Sequence, residues 1–186
     1  MKKIVDIYIP LDAREAPCRE VMAVAKPQIE QLKKVIKGLG WQAHVLNPQK
    51  PVSSVAEGLQ VIRKAKGKRF INFLPGWAYP DFTVSPMWQL PSDTPKLLLG
   101  SSIPDFPGAV GLLAAASGTE QVGIRTSRLF VEEFEDHDSY AEALKAFLSS
   151  GKYAPRYPKT IDVPVKEANR KKAKKVKQQL AGMVYG

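Results

Sequence analysis

Five strand-length apolar runs, separated by stretches of helical apolar spacing, leave few architectures open to this chain. The runs are Ile4 to Ile9, Trp41 to Leu46, Arg69 to Leu74, Lys96 to Gly100 and Ile124 to Val131. Short apolar runs alternating with amphipathic helical patterns mark repeated βα units and a mainly parallel sheet. The expected fold is therefore α/β: a three-layer αβα domain around a flavodoxin-like sheet of about five strands, followed by a linker and a basic helix.

The segments between the runs supply the helices. Val21 to Ile36 places apolar residues at helical spacing, with Pro27 marking a kink or a late start, and Gly38 and Gly40 end it. Ser54-Val55-Ala56-Glu57 has the Ser-x-x-Glu form in which two side chains satisfy orphan amide donors reciprocally, and its pattern runs to Gly67. Pro107 to Gln121, rich in Ala and Leu, predicts a buried helix that opens on a proline, where no amide donor is lost. Ser139-Tyr140-Ala141-Glu142 repeats the capping pattern, and Gly151 stands where a left-handed residue would close that helix.

These boundaries predict a domain over residues 1–151. Residues 152–164, with Pro155, Pro158 and Pro164, suit an extended linker. From 165 to 186 the chain is Lys-rich, with a thin apolar stripe of Ala168, Ala173, Val176 and Leu180 that requires a partner, and it ends on the apolar Met183-Val184-Tyr185-Gly186. This last stretch is expected to be a basic helix and the start of a second domain whose remainder is missing.

Charge excludes less than its total suggests. The formal net charge is +10, yet residues 165–186 hold seven Lys or Arg against one Glu, which leaves +4 for the other 164 residues. A basic cluster without interleaved aromatics is usually a solvated helix face, so nucleic acid is not an expected partner. At 44% hydrophobic and 25% charged residues the composition fits neither a disordered nor a fibrous chain. No apolar stretch approaches the length of a membrane span, and Met1-Lys2-Lys3 leads into a strand with no cleavage site behind it. A cytoplasmic protein with no membrane partner is the expectation. A single Cys18, with only His44 and His137, gives neither a disulfide nor a zinc-site spacing.

Parallel sheets bind ligands beyond the carboxyl ends of their strands, so the loops after Leu74 and Gly100 are the places to look. The first, Leu74-Pro75-Gly76-Trp77-Ala78-Tyr79-Pro80-Asp81-Phe82-Thr83, sets Trp and Tyr close together with an acid in a conformationally restricted loop. Aromatic faces suit the C–H faces of sugars while the indole N–H or phenol hydroxyl takes a hydrogen bond. Packing under the loop or at a subunit contact is the competing role for Trp77 and Phe82. The second loop, Ser101 to Gly108, leads to a helix amino terminus but has no phosphate-loop or dinucleotide fingerprint, so a well-capped helix accounts for it. The acidic run Glu132 to Asp138 reads as a solvated loop that favours the following helix rather than as a metal site. His44 lies in a strand and reads as structural. Cys18 has no recognisable base partner.

Pro75-Gly76-Trp77-Ala78-Tyr79, followed by Pro107-Gly108-Ala109-Val110, Leu112 to Ala116 and Gly123-Ile124, resembles the first domain of L-fucose isomerase-like proteins over roughly residues 70–130. Leu180 to Gly186 resembles the family's passage into its second domain. The resemblance implies a sugar substrate and a manganese- or other divalent-metal-dependent interconversion of aldose and ketose through an enediol. It places the metal ligands and proton-transferring carboxylates in later domains. No residue here is therefore assigned a catalytic role, and no cofactor is expected in this chain.

By the same resemblance this domain supplies a wall of a substrate pocket, often a neighbouring subunit's. Trp77 matches the family's substrate-facing Trp, Tyr79 shares its loop, and Ser117 falls where related arabinose isomerases have a His, a departure that argues against the arabinose type. The implied partners are downstream catalytic domains or a separately encoded partner, in a homo-oligomer, with no activity expected of this chain alone. A stand-alone sugar- or partner-binding module without catalysis is the alternative.

Overall fold

The structure, a computed structural model, describes residues 3–12, 15–101 and 108–154, without the side chains of residues 15–18. Contacts divide the chain into Met1–Pro155 and Arg156–Gly186. All described residues belong to the first unit. Most of the linker and the whole basic helix expected from sequence lie outside the described residues, as does the Cys18 side chain.

Ten elements alternate along the first unit: β1 (Ile4–Tyr8), α1 (Glu15–Gly38), β2 (Gln42–Val45), α2 (Val55–Ile62), β3 (Arg69–Leu74), α3 (Pro80–Trp88), β4 (Lys96–Ser101), α4 (Gly108–Gln121), β5 (Ser127–Val131) and α5 (His137–Ser150). The five strands form one sheet in the order β2-β1-β3-β4-β5, parallel throughout. The central strands read as near-continuous apolar runs because both of their faces are covered. One face packs Val5, Ile7, Ile71, Phe73, Leu97 and Leu99 against Leu32 and Ile36 of α1 and Leu144 and Phe147 of α5. The other packs Tyr8, Phe70, Leu74 and Leu98 against Ile62 of α2, Met87 of α3 and Leu112, Ala115 and Ala116 of α4. The three-layer α/β expectation is met.

Three helices differ from their sequence reading. Pro27 neither starts nor ends α1, which continues through it. Proline removes a hydrogen bond to the carbonyl four residues back. Here that is Ala23, and both residues lie on the exposed face where water can serve the carbonyl. Helix α2 is capped by Ser54 as expected, Ser54 Oγ accepting from Glu57 N at 3.2 Å, but it ends at Ile62, short of Gly67, and the returning Glu57 carboxylate accepts from Ser53 N at 3.0 Å, one residue before the cap, and from Lys50 Nζ at 2.9 Å. Those donors hold the Glu57 carboxyl below the ordinary carboxylate range, the Ser53 amide contributing most. In α5 the cap is Asp136, whose side chain accepts from Ser139 N, so the helix begins at His137 rather than behind Ser139. Gly151 closes α5 at φ 79° as its position predicts.

The buried polar groups at the amino edge of the sheet explain His44. Asp6, on β1, accepts from the backbone N–H of Lys66 at 2.8 Å and of Gly67 at 2.6 Å, and its other oxygen lies 2.6 Å from His44 Nδ1. A carboxylate almost wholly out of water needs these partners. His44 is therefore a structural clamp between β1 and β2.

Candidate functional site

In the order 2-1-3-4-5, chain direction across the sheet reverses between β1 and β3, and doubly wound sheets bind ligands outside the carboxyl ends of the strands at that switch point. The loop after β3, Pro75 to Tyr79, emerges there beside the residues following β1. The two are joined directly: Asp12 N donates to Trp77 O at 2.9 Å. Gly76 packs under the junction, where an added Cβ would stand 3.0 Å from Leu11 Cδ1 and 3.3 Å from Val21 Cγ1.

Helix α4 closes the loop from the other side. A Cβ on Gly111 would lie 2.3 Å from Gly76 O, and one on Gly108 would lie 2.2 Å from Ser101 O and 3.0 Å from Leu74 O. Only glycine permits backbone contact at such distances. The glycines thus set α4 directly on the ends of β3 and β4 and fix the backbone that carries Trp77.

Three aromatic rings extend outward from this base. The Trp77 and Tyr79 ring centroids are 5.9 Å apart at 74°, and those of Tyr79 and Phe82 are 5.5 Å apart at 69°. Edge-to-face pairs at these separations are mutually stabilising. Trp77 and Phe82 are half-buried and Tyr79 is 49% exposed, so the loop both packs and presents an aromatic surface. Neither role excludes the other.

The loop continues directly into a helix that sequence reading treats as loop. Tyr79 is the N-cap residue of α3 and Pro80 occupies its first turn. Two polar bonds hold α3 to the sheet: Tyr8 Oη donates to Phe82 O at 2.7 Å, and Asn72 Nδ2 donates to Thr83 Oγ1 at 2.9 Å. Burial, with the Glu57 charge adding to it, pushes the Tyr8 phenol well above its ordinary range, which keeps it a donor.

Ser117 lies further along α4, exposed, with its hydroxyl accepting from Gln121 Nε2 at 3.4 Å. The neighbouring Gly118 faces Pro80 and Val84 of α3. The described contacts bring Trp77 and Tyr79 together and do not join Ser117 to them. Helix α4 itself is half-buried rather than buried: Gly111, Leu112, Ala115 and Ala116 face inward, whereas Val110 and Leu113 are 49% and 66% exposed.

Sequence reading passed over three residues at this edge. Asp12 lies in the stretch after β1, and Asn47 clamps that stretch by accepting from Ile9 N at 3.1 Å and donating to Ile9 O at 2.9 Å. Gln28 of α1 accepts from Ser101 Oγ, at the end of β4, at 2.9 Å. A polar residue just after a strand signals such a role, as Asn47 does, whereas Asp12 acts through its backbone N–H, which no residue type announces. Gln28 carries no signal, because only helix packing brings it to Ser101.

A parallel five-stranded sheet with an aromatic loop locked at its switch point defines a doubly wound, flavodoxin-like α/β domain carrying a candidate ligand edge. The family comparison is more specific: the model for L-fucose isomerase, first N-terminal domain, matches residues 2–149. The chain belongs to that family. No curated protein matches it at a significant level.

Proposed function

We propose that this chain is the substrate-facing first domain of a sugar ketol-isomerase, which interconverts an aldose and a ketose once further domains complete the active site. The observation that carries the reading is the Trp77–Tyr79 pair, held at the β1/β3 switch point by the Asp12–Trp77 backbone bond in a chain of the L-fucose isomerase family. A half-buried indole beside an exposed phenol offers a flat apolar face with two hydrogen-bonding edges, the chemistry that a sugar's C–H face and hydroxyls complement. Trp77 forms the wall of the pocket and Tyr79 its outer edge. Ser117 is the third substrate-side residue by resemblance alone.

Aldose–ketose isomerisation moves a proton between neighbouring carbons, which needs a base and a means of polarising the carbonyl. Among the described residues no group of three His, Cys, Asp or Glu side chains converges as a manganese or other divalent site requires. The part of these residues is binding and orientation, with the chain inactive alone. Val110 and Leu113, outward-facing and apolar on α4, support contacts with another copy of the chain in a homo-oligomer.

The test is an aldose-to-ketose assay with L-fucose and related sugars in the presence of manganese, on the chain alone and joined to the family's catalytic domains. Activity only in the joined protein, reduced at least tenfold by Trp77→Ala, is expected. A folded, metal-loaded joined protein inactive on every sugar would instead favour a binding module without catalysis.

A further inference from the structure

At the end of the sheet opposite the Trp77 loop, the strands' amino ends hold a cavity of about 400 Å³. It lies between the end of α3, the start of β4 and the turn before β5, lined by Met87, Trp88, Leu90, Lys96, Ile124 and Arg125 among others. Its volume falls within the range of small-ligand sites.

Two features of its lining are unusual. Trp88 is 60% exposed, although indole is among the most costly surfaces to leave in water. Lys96 is the reverse, only 5% exposed at the head of β4. Its ammonium donates to Pro91 O at 3.0 Å and Thr94 O at 2.8 Å. An ammonium has three donors, and among the described residues these two carbonyls are the acceptors it meets. Among the described residues no carboxylate lies within ion-pair distance of Lys96, although Asp93 is near enough to act on it electrostatically. Burial pulls its pKa below the ordinary lysine range, with Asp93 opposing the shift in part. Arg125 adds a second cation on the rim. Met87, Leu90 and Ile124 supply an apolar lining.

We propose that this cavity binds a small anion with an apolar body, a carboxylate or a phosphate monoester, its charged head on Lys96 and Arg125 and its body on the face of Trp88. Such a ligand would add counter-charge beside that of Asp93 and cover the exposed indole together. A charge-assisted hydrogen bond to a buried ammonium gives orientation, and the indole gives contact area. The site is separate from the Trp77 loop and does not depend on the isomerase reading: its ligand is anionic, its position is the amino edge, and no sugar chemistry is invoked.

Two-dimensional NMR of the full 186-residue chain, with the Trp88 indole signal assigned by Trp88→Phe, tests it with phenyl phosphate, benzoate, inorganic phosphate and neutral benzyl alcohol. Saturable shifts of the Trp88 indole N–H and of the Gly123 and Arg125 amides are expected in the millimolar range for phenyl phosphate, benzoate or both, and not for benzyl alcohol. The stronger of the two identifies the head group. Lys96→Met should weaken that binding at least tenfold, and the exposed Arg125→Gln should weaken it about threefold without endangering the fold. Trp88→Ala should weaken phenyl phosphate and benzoate while leaving any inorganic phosphate shifts unchanged. Absence of saturable shifts with both aromatic anions, equal shifts with benzyl alcohol, or undiminished binding in folded Arg125→Gln would each overturn the proposal.

Discussion

The two helical layers of this domain are built on different principles. On one face of the sheet α1 and α5 pack through long side chains, Leu32 and Ile36 meeting Phe134, Tyr140, Leu144 and Phe147 in one cluster, and their outer surfaces are largely charged or polar. On the other, α2, α3 and α4 approach through glycines: Gly58 abuts Pro86 and Tyr8, Gly111 abuts Gly76, and Gly118 abuts Pro80 and Val84. That second layer leaves Tyr79, Trp88, Val110, Leu113 and Val122 in water. Large interlocking side chains tolerate small shifts of a helix, whereas the backbone-to-backbone contact at Gly111 fixes its position and the side-chain contacts at Gly58 and Gly118 leave some give. The layer that holds the aromatic loop and the cavity is thus the one in which backbone placement is most tightly specified.

Substitutions in the two layers should therefore fail differently. The largest loss of stability is expected in the first: Phe147→Ala, at a fully buried ring, should cost about 4 kcal/mol in urea unfolding through lost burial and the cavity left behind. Gly111→Ala should cost about 2 kcal/mol even though alanine is the better helix former, because its methyl would enter the Gly76 carbonyl. The same variant should displace the Trp77 loop and change Trp77 fluorescence. Gly118→Ala meets only side-chain atoms at 3.0 and 3.1 Å and should change stability by less than about 1 kcal/mol. Equal costs at Gly111 and Gly118 would break the proposed difference between backbone and side-chain contact.

Each layer also carries one buried tyrosine hydroxyl, Tyr8 donating to Phe82 O and Tyr140 donating to Phe134 O at 3.1 Å. Burial pushes the Tyr140 phenol up from 10.0 to about 12, with Glu135 adding to the shift. Between these values the folded state holds a proton that the unfolded state has lost, so stability should fall as pH rises from about 10 to 12. Tyr140→Phe should lose about 1 kcal/mol at neutral pH and flatten part of that alkaline slope in circular-dichroism melts. The helix caps should matter about as much, Ser54→Ala in one layer and Asp136→Ala in the other each costing about 1 kcal/mol. The smallest effect is expected at Leu113→Ser, within about 0.5 kcal/mol, because its side chain has little burial to lose.

All five strands of the sheet were legible as apolar runs, within three residues at every boundary. The fifth was the least accurate: Ile124 to Thr126 precede β5 because they lead out of the turn at Gly123, whose φ is 76°. Helix α3 was missed for a different reason. Its Pro80 and Pro86 look like loop residues, yet a first-turn proline loses no amide donor, and the helix is completed by bonds from Tyr8 and Asn72 that no local pattern announces. The aromatic loop was visible as Trp77 and Tyr79, but Asp12 was not, because its importance depends on β1 and β3 being neighbours.

The sequence by itself determined the βα alternation, the parallel sheet, the Ser54 and Gly151 helix ends and the position of the aromatic loop, since each follows from spacing, backbone conformation or capping within a few residues. Tertiary structure alone decided the strand order, the half-exposed face of α4, and the meeting of Trp88 with Lys96 around one cavity. The physical reason is range. Propensity and periodicity act within a few residues, whereas a glycine contact, a switch point or a buried ammonium acquires its meaning only from groups that folding brings from elsewhere in the chain.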